Sequence, residues 1–525
     1  MASIWPGTSG SSALTALGGL VLLALGSTGC GEQRARAASE PAPTEPRSTR
    51  VEGGPPFAYP ERLARLGFEI DWAVRMPMDA PLRNAYLTGA VLHPGALLIE
   101  TEENRLISLE RSSGVKKWLV QLGDPLDFPP VQTHRRLFCV GNDTLYAIDT
   151  RHFRSTIARD LELRPEGREL GVLRWKVPLP FCPCATPASN DEYIAIPAQE
   201  HGSVFSIRLT DLDQAFAEIA AGRHGSLEST QVTHAWQHST RHDVSVPVLV
   251  PDATSSEQAS IQDLVVYATG EGRVYGRSLK YYENPIRSTA WTFPQEGHAP
   301  PPAADRNPRI PLQGSGRSNR IGPVTAPMVA HQGFIYIPSE DHTLYILRQE
   351  SGYLQGKHTF NGPLSAPPAV IGSSAGDQQI YVHAEGDGFY CIGVDTSDWV
   401  RRDRTYFHRY DDPETGQERI QPIVTHKPRW LLSERWRIEG PDRFLMEGVE
   451  RAYLYETAER TIWAVDKATG EVAWRERATG LDFVLTDTTD PEGYGAAQTE
   501  GHVPPFSNRL IVVSREGYVL ALKEK

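Results

Sequence analysis

The sequence predicts an all-β protein: an eight-bladed β-propeller of four-stranded antiparallel blades, with loop inserts and a disordered N-terminal tether. Three observations lead there. A strand-like pattern recurs eight times along the 525 residues, and most copies are followed by a strand centred on Trp. The composition, 45 Gly and 41 Pro with 40 % hydrophobic residues, is that of a turn-rich globular chain. A net charge of −12 repels phosphate backbones, so no nucleic-acid partner is expected. The mean hydropathy of −0.38 argues against a polytopic membrane protein.

In chain order, the first element is an apolar run from Ala13 to Leu25, too short to cross a bilayer and right for a signal-peptide core. Gly26-Ser27-Thr28-Gly29 then leads into Cys30, which resembles a bacterial lipobox. The resemblance implies cleavage after residue 29 and a lipid on Cys30; an ordinary secretory signal is the alternative. Gly31, rather than Asp, favours the outer membrane by the enterobacterial sorting rule. Residues 31–56 are rich in Pro, Ala and alternating charge, with little to bury, and read as an extended tether. The expected division is signal peptide 1–29, lipidated tether 30–60 and propeller 61–525.

Copies of the repeat begin at Asn104, Asp143, Gly202, Gly272, His342, Asp387, Arg460 and Gly517 (NRLISL, DTLYAI, GSVFSI, GRVYGR, HTLYIL, DGFYCI, RTIWAV, GYVLAL). The strands that follow centre on Trp118, Trp175, Trp236, Trp291, Trp436 and Trp474, with Phe360 standing in for Trp after the His342 copy. A loop ending in Pro or small residues comes next, and a further short strand, such as RLFCVG or QIYVHA, leads back to the pattern. β-Branched and aromatic runs of this length between Gly, Asn, Asp and Pro are strands. Four strands per unit in eight units is propeller arithmetic. A Trp-type strand around Trp72 has no unit before it, and the last copy lacks its Trp strand. The Trp72 strand is therefore predicted to close the last blade as its outer edge, hiding open sheet edges. Seven blades is the alternative.

The clearest copy, Trp463-Ala-Val-Asp466-Lys-Ala-Thr469-Gly470-Glu-Val-Ala-Trp474, resembles the tryptophan-docking repeat of PQQ-like propellers. Ala464 is small where sheets approach, Asp466 can accept backbone N–H bonds to start a turn, and Gly470 supplies a backbone shape other residues resist. Trp474 offers a plate to wedge between blades.

Segments 151–170, 209–233 and 396–433 fall between the repeat pattern and a Trp strand, and 252–262 falls between a blade's first two strands. In an up-and-down blade these inserts share one face, while 295–325 and 480–502 are expected on the other. Asp211-LDQAFAEIAAG has helical spacing and a Gly stop, predicting a short surface helix.

Dehydrogenases of the PQQ-like group typically carry two adjacent Cys and a calcium. The chain has no Cys-Cys pair, so neither PQQ nor calcium is expected as a cofactor. Cys182-Pro183-Cys184 is the nearest approach, as a redox or cofactor element or as part of a structural disulfide. Cys139 and one of Cys182 and Cys184 lie in consecutive blades and are candidates for a disulfide whose connectivity is open. Cys391 reads as a small buried residue. His234, His238 and His242 are spaced for a metal site or for one polar strand face, and the second is expected. Asp487, Asp490 and Glu492 read as a solvated loop rather than a calcium loop. No phosphate loop, GxSxG elbow or HExxH is present, so no catalytic residue is assigned.

The expectation is a non-catalytic, membrane-tethered scaffold: a monomeric ring, lipid-anchored to the outer membrane, binding an envelope protein or a cell-envelope polymer through the loops of one face. A lipoprotein signal, an eight-bladed ring and no quinone site are similar to the propeller lipoprotein of the outer-membrane β-barrel assembly machinery. A PQQ-dependent oxidoreductase with an atypical site, or a sensor of small ligands or glycans, is the alternative.

Overall fold

The computed structural model describes residues 55–76, 80–88, 96–133, 136–149, 172–189, 192–199, 202–220, 236–240, 242–245, 247–250, 264–278, 289–294, 321–349, 351–372, 378–395, 404–411, 418–425, 430–486 and 509–525. The chain divides into two units, 1–47 and 48–525, and all of these residues belong to the second. Cys30 and the signal segment lie outside them.

Eight four-stranded antiparallel sheets form the ring. Blade 1 comprises Leu82–Leu87, Ala96–Thr101, Arg105–Glu110 and Lys116–Gln121; blade 2, Val131–Gln132, Arg136–Gly141, Thr144–Asp149 and Val172–Pro178. Blade 3 is Ala188–Ser189, Tyr193–Ala198, Ser203–Arg208 and Trp236–Ser239; blade 4, Val248–Val250, Leu264–Ala268, Val274–Ser278 and Thr289–Phe293. Blade 5 is Val329–His331, Phe334–Pro338, Thr343–Arg348 and Leu354–Thr359; blade 6, Ala369–Ile371, Gln379–Ala384, Gly388–Asp395 and Leu431–Ile438. Blade 7 is Arg443–Glu447, Arg451–Glu456, Thr461–Asp466 and Val472–Arg477. Blade 8 takes Phe483–Thr486, Arg509–Val513 and Tyr518–Glu524 from the end of the chain and Phe68–Arg75 from near its start, as predicted. Trp72 pairs with Ala521, and the Lys525 amide donates to the Gly67 carbonyl at 3.0 Å, so the ring closes by sheet hydrogen bonds.

Because side chains alternate along a strand, each blade buries one face against each neighbour. Eight apolar clusters result, one per blade interface. Within a blade, one row crosses the sheet in a fixed order: an apolar or aromatic residue on the second strand, a small residue on the third, and Trp on the fourth. Tyr453–Ala464–Trp474, Tyr381–Cys391–Trp436 and Phe138–Ala147–Trp175 are examples. The small residue is needed because the indole lies over it. A Cβ on Gly276 would sit 2.3 Å from Cε2 of Trp291.

The same indoles reach the next blade. Nε1 of Trp72, Trp291 and Trp436 donates to the carbonyls of Arg111, Gln349 and Lys467 at 3.0, 2.8 and 2.9 Å. Each acceptor stands three residues before a glycine, Gly114, Gly352 or Gly470, whose φ is +70°, +65° or +75° and whose missing Cβ leaves room for the ring. In each turn the glycine amide donates 2.8 Å to the carbonyl four residues back, of Glu110, Arg348 or Asp466. Asp466 adds a side-chain anchor: the amide and hydroxyl of Thr469 donate to it at 2.8 and 3.0 Å and hold its carboxyl below the usual range. Trp474 has no such acceptor. The next blade draws its third and fourth strands from opposite ends of the chain, so no turn joins them, and the buried Nε1 has no hydrogen-bond partner among the described residues. Its ring packs on Phe68 and Tyr453.

Several expectations are corrected. Phe360 is not the Trp equivalent of blade 5: the register places Gly356 opposite Ile346, and Phe360 lies beyond the strand against Tyr390 of blade 6. Trp430 fills the gap, packing on Phe334 with its amide donating to the Gln355 carbonyl. Chain packing begins before residue 61, because Phe57 is fully buried between blades 7 and 8 together with Leu63 and Leu66 of the helix Pro60–Leu66. Phe483–Thr486 is the first strand of blade 8, so the connection 487–508 joins its first two strands and belongs with the other inserts, not on the opposite face. The predicted surface helix is present as Leu209–Ala220, with Leu209 and Leu212 buried and Phe216 stacked 5.7 Å from Trp175.

Candidate functional site

Strand direction gives the ring two unlike faces. The connections between second and third strands contain only two to five residues in all eight blades. Connections between first and second, and between third and fourth, strands leave the opposite end, and there the long ones gather: 150–171, 209–235, 251–263, 396–430 and 487–508. Two of these carry described structure. One is the helix Leu209–Ala220; the other is a hairpin, Arg404–Asp411 with Glu418–Thr425, paired from Arg404↔Thr425 to Asp411↔Glu418. The one long connection at the other end is 294–328, between blades 4 and 5.

Among the described residues, exposed large apolar side chains share this asymmetry. Val115, Tyr353, Leu431, Val449 and Val472, between 42 and 79 % exposed, all stand at the insert-bearing end, in turns or at the first residues of outer strands. Tyr59, in the N-terminal segment, is the exception. Four of the five fall on the consecutive blades 5, 6 and 7, and the hairpin springs from the middle one. Under this face the blades are stitched by polar pairs. Tyr336, Tyr381 and Tyr453 hydroxyls donate to Gln378, Glu447 and Glu524, each in the following blade or leading into it. Burial and these acceptors push the Tyr381 and Tyr453 hydroxyls well above their ordinary range.

The histidines do not converge. His238 accepts at Nδ1 from the Tyr267 hydroxyl at 2.5 Å, and Arg277 Nε donates to the same hydroxyl oxygen at 2.8 Å. Burial, with the Arg277 charge beside it, pushes His238 down to about 4, which matches an unprotonated acceptor nitrogen. His242 is paired with Glu271, and His234 lies outside the described residues. Arg277 occupies the third-strand position where other blades carry Leu, Ile or Val, and it is buried. Only the final Arg of GRVYGR, against the aliphatic endings of most other copies, signalled it.

The fold does not bring Cys139 together with Cys182 or Cys184, the cysteines of the possible disulfide. Cys139 points into the cluster between blades 1 and 2, whereas Cys182 and Cys184 follow Phe181, which belongs to the cluster between blades 2 and 3. Cys391 is fully buried opposite Trp436, and burial pushes its thiol up to about 12. Trp118 and Trp175 are buried in the two clusters flanking blade 2, and Trp175 Nε1 donates to Asp213 of the surface helix at 3.1 Å. The Trp236 side chain, Asp487, Asp490 and Glu492 lie outside the described residues. Among the described residues no three His, Cys, Asp or Glu come together as a cation site, and the Cys182 and Cys184 thiols are separated by Pro183. No described helix is long and apolar enough to cross a membrane.

No protein-family model matches the chain, and no curated protein does. Solved structures similar to it include BamB from Moraxella catarrhalis, at 11 % identity over 87 % of this chain and 99 % of that one, with a TM-score of 0.47. Sqt1 of Saccharomyces cerevisiae matches at 10 % identity over 85 and 100 %, with a TM-score of 0.46. The quinohemoprotein alcohol dehydrogenase ADHIIG from Pseudomonas putida HK5 matches at 8 % over 87 and 76 %, with a TM-score of 0.43. At these identities the likeness is one of propeller fold.

Proposed function

We propose that this chain is a non-catalytic binding platform, tethered through a lipid on Cys30 to the outer membrane, whose insert-bearing face holds an envelope protein and serves outer-membrane protein assembly. The observation that carries this reading is the two-faced ring. Tight turns close one end of every blade, while the long inserts and the exposed apolar side chains gather at the other. Rigid rings build recognition on such loops, and clustered exposed apolar groups mark contact surfaces. The lipobox-like Cys30 and the acidic, motif-poor sequence support the location and the absence of catalysis.

The test removes the blade 6 insert without disturbing the blade. Asp395 and Leu431 are cross-strand partners, so residues 397–429 can be replaced by a short turn. Trp430 and Leu432 are buried between blades 5 and 6 and must stay, so a cut extending to residue 433 would damage the ring itself. The tagged, lipid-anchored protein is captured from detergent-solubilised envelopes before and after the change. The expected result is recovery of a barrel-assembly component by the intact chain and its loss on removal of the insert. Recovery of the chain alone, or unchanged recovery after the deletion, overturns the reading. Stabilisation by added PQQ with calcium would replace it with an oxidoreductase.

A further inference from the structure

Of the four described cysteines, Cys139 and Cys391 are buried, and only Cys182 and Cys184 reach solvent. They flank Pro183 in the connection from blade 2 to blade 3, and the backbone there is held on both sides. The Cys184 amide donates to the Pro197 carbonyl at 3.1 Å, and the Gln199 amide donates to the Cys182 carbonyl at 3.0 Å. Pro183 and Ala198 face each other between these bonds as an isolated antiparallel bridge. The bridge asks no N–H of residue 183, so proline fits without loss. Upstream, Phe181 stacks on Phe205 at 4.0 Å, and downstream Ala185 is buried.

The tripeptide is therefore pinned in an extended shape. Pro183 has its φ fixed near −65°, and the residue before a proline is driven to the extended region. In extended chain, residues two apart project to the same side, with Cα atoms about 6–7 Å apart. That is the upper end of the roughly 4.4–6.8 Å that a disulfide spans. A bond between Cys182 and Cys184 must bring Cβ atoms on the same side of the segment from about 6–7 Å to about 4 Å, so the segment bends, and a strained, exposed disulfide is readily reduced.

We propose that Cys182 and Cys184 form a thiol–disulfide exchange site that closes and opens reversibly against a protein or small-molecule disulfide. One thiolate of the pair attacks a sulfur of the partner disulfide, expelling one partner thiol and leaving a mixed disulfide. The second thiolate attacks the cysteine sulfur of that mixed disulfide and releases the second partner thiol. The pair loses two electrons and two protons, and the partner disulfide gains both as two thiols. This site is independent of the partner-binding face.

The probe is glutathione. The full chain is equilibrated across reduced-to-oxidised glutathione ratios, quenched with N-ethylmaleimide, digested and weighed. The peptide carrying residues 182–184 should lose two hydrogens at the oxidised end and regain them at the reduced end. N-Ethylmaleimide labelling of the pair should fall at least about tenfold, while Cys139 and Cys391 label only after unfolding. In C182S and C184S the remaining thiol should carry glutathione instead of an internal bond; both substitutions fall at solvent-reaching positions that the fold tolerates. Undiminished labelling at the oxidised end, or a bridge from the pair to Cys139, overturns the proposal.

Discussion

Replacing Gly470 by Ala tests the inter-blade docking at its tightest point. Gly470 has φ +75°, where an L side chain costs about 1–2 kcal/mol. Its new Cβ would lie 2.7 Å from Cβ and Cγ of Trp436, so the indole or the turn must move. Moving either breaks the 2.9 Å bond from Trp436 Nε1 to the Lys467 carbonyl, about 1 kcal/mol, and overpacking adds about 1–3 kcal/mol. Gly333 supplies the control: its φ is +79° and nothing lies within 4 Å of where its Cβ would stand, so G333A carries the backbone cost alone. The difference, about 2–4 kcal/mol, should appear as opening of the interface between blades 6 and 7. Cys391 reports it, being fully buried opposite Trp436 and held as an unreactive thiol. Its labelling by a thiol reagent under native conditions should be about 30-fold to 700-fold faster in G470A than in G333A. Equal rates in the two variants would mean that the indole does not seat against Gly470, and the docking argument would fall.

Three further outcomes are expected. Trp474→Phe should cost about 1 kcal/mol less than Trp436→Phe in denaturant unfolding, since only the second removes a bonded N–H; equal losses would refute the assignment of Trp474 as the undocked indole. His238 is held neutral with its value lowered to about 4, so the unfolded chain binds the extra proton and stability falls as pH drops from about 6.5 toward 4. After discounting for its partial exposure, this loss is about 1–2 kcal/mol; H238Q should flatten that part of the pH profile, and an unchanged profile would exclude the group. Phe57→Ala should undock the N-terminal segment and speed tryptic cleavage after Arg62 and Arg65 at least about tenfold while leaving the ring folded, whereas unchanged cleavage would show that other contacts suffice.

The blades were legible because a strand carries its own signature, and the closure was legible because an orphan Trp strand at one end matched a missing one at the other. Contacts between blades were harder to read. The repeat around Trp474 places Asp466, Gly470 and Trp474 within a dozen residues, yet the indole seated on Gly470 is Trp436 of the preceding blade. Spacing along one unit cannot show which neighbour supplies the plate. Phe360 misled for the same reason, since an aromatic residue near the end of a strand resembles the docking position until the register puts Gly356 there. Cys139 and Cys182 are near in sequence order of blades, but Cys139 lies in a blade 2 strand facing blade 1 and Cys182 in the connection to blade 3, a separation that blade order alone does not show.

The exceptions to the repeat share a physical logic. The docking turn needs a free glycine and a carbonyl three residues earlier, so any insertion into that turn displaces both. In blade 3 the helix Leu209–Ala220 begins where the turn would stand, and Trp175 finds substitutes in Asp213 and Phe216. In blade 6 the hairpin occupies the same connection, and Trp430 at its base packs back onto Phe334 of blade 5, where no Trp is present. The helix of blade 3 and the hairpin connection of blade 6 thus each bring a replacement for the contact they displace. That is why the ring can carry long inserts on the third-to-fourth-strand connections of blades 3 and 6 without opening. It is also why removal of an insert must spare the aromatic residue at its base if binding, rather than folding, is to be measured.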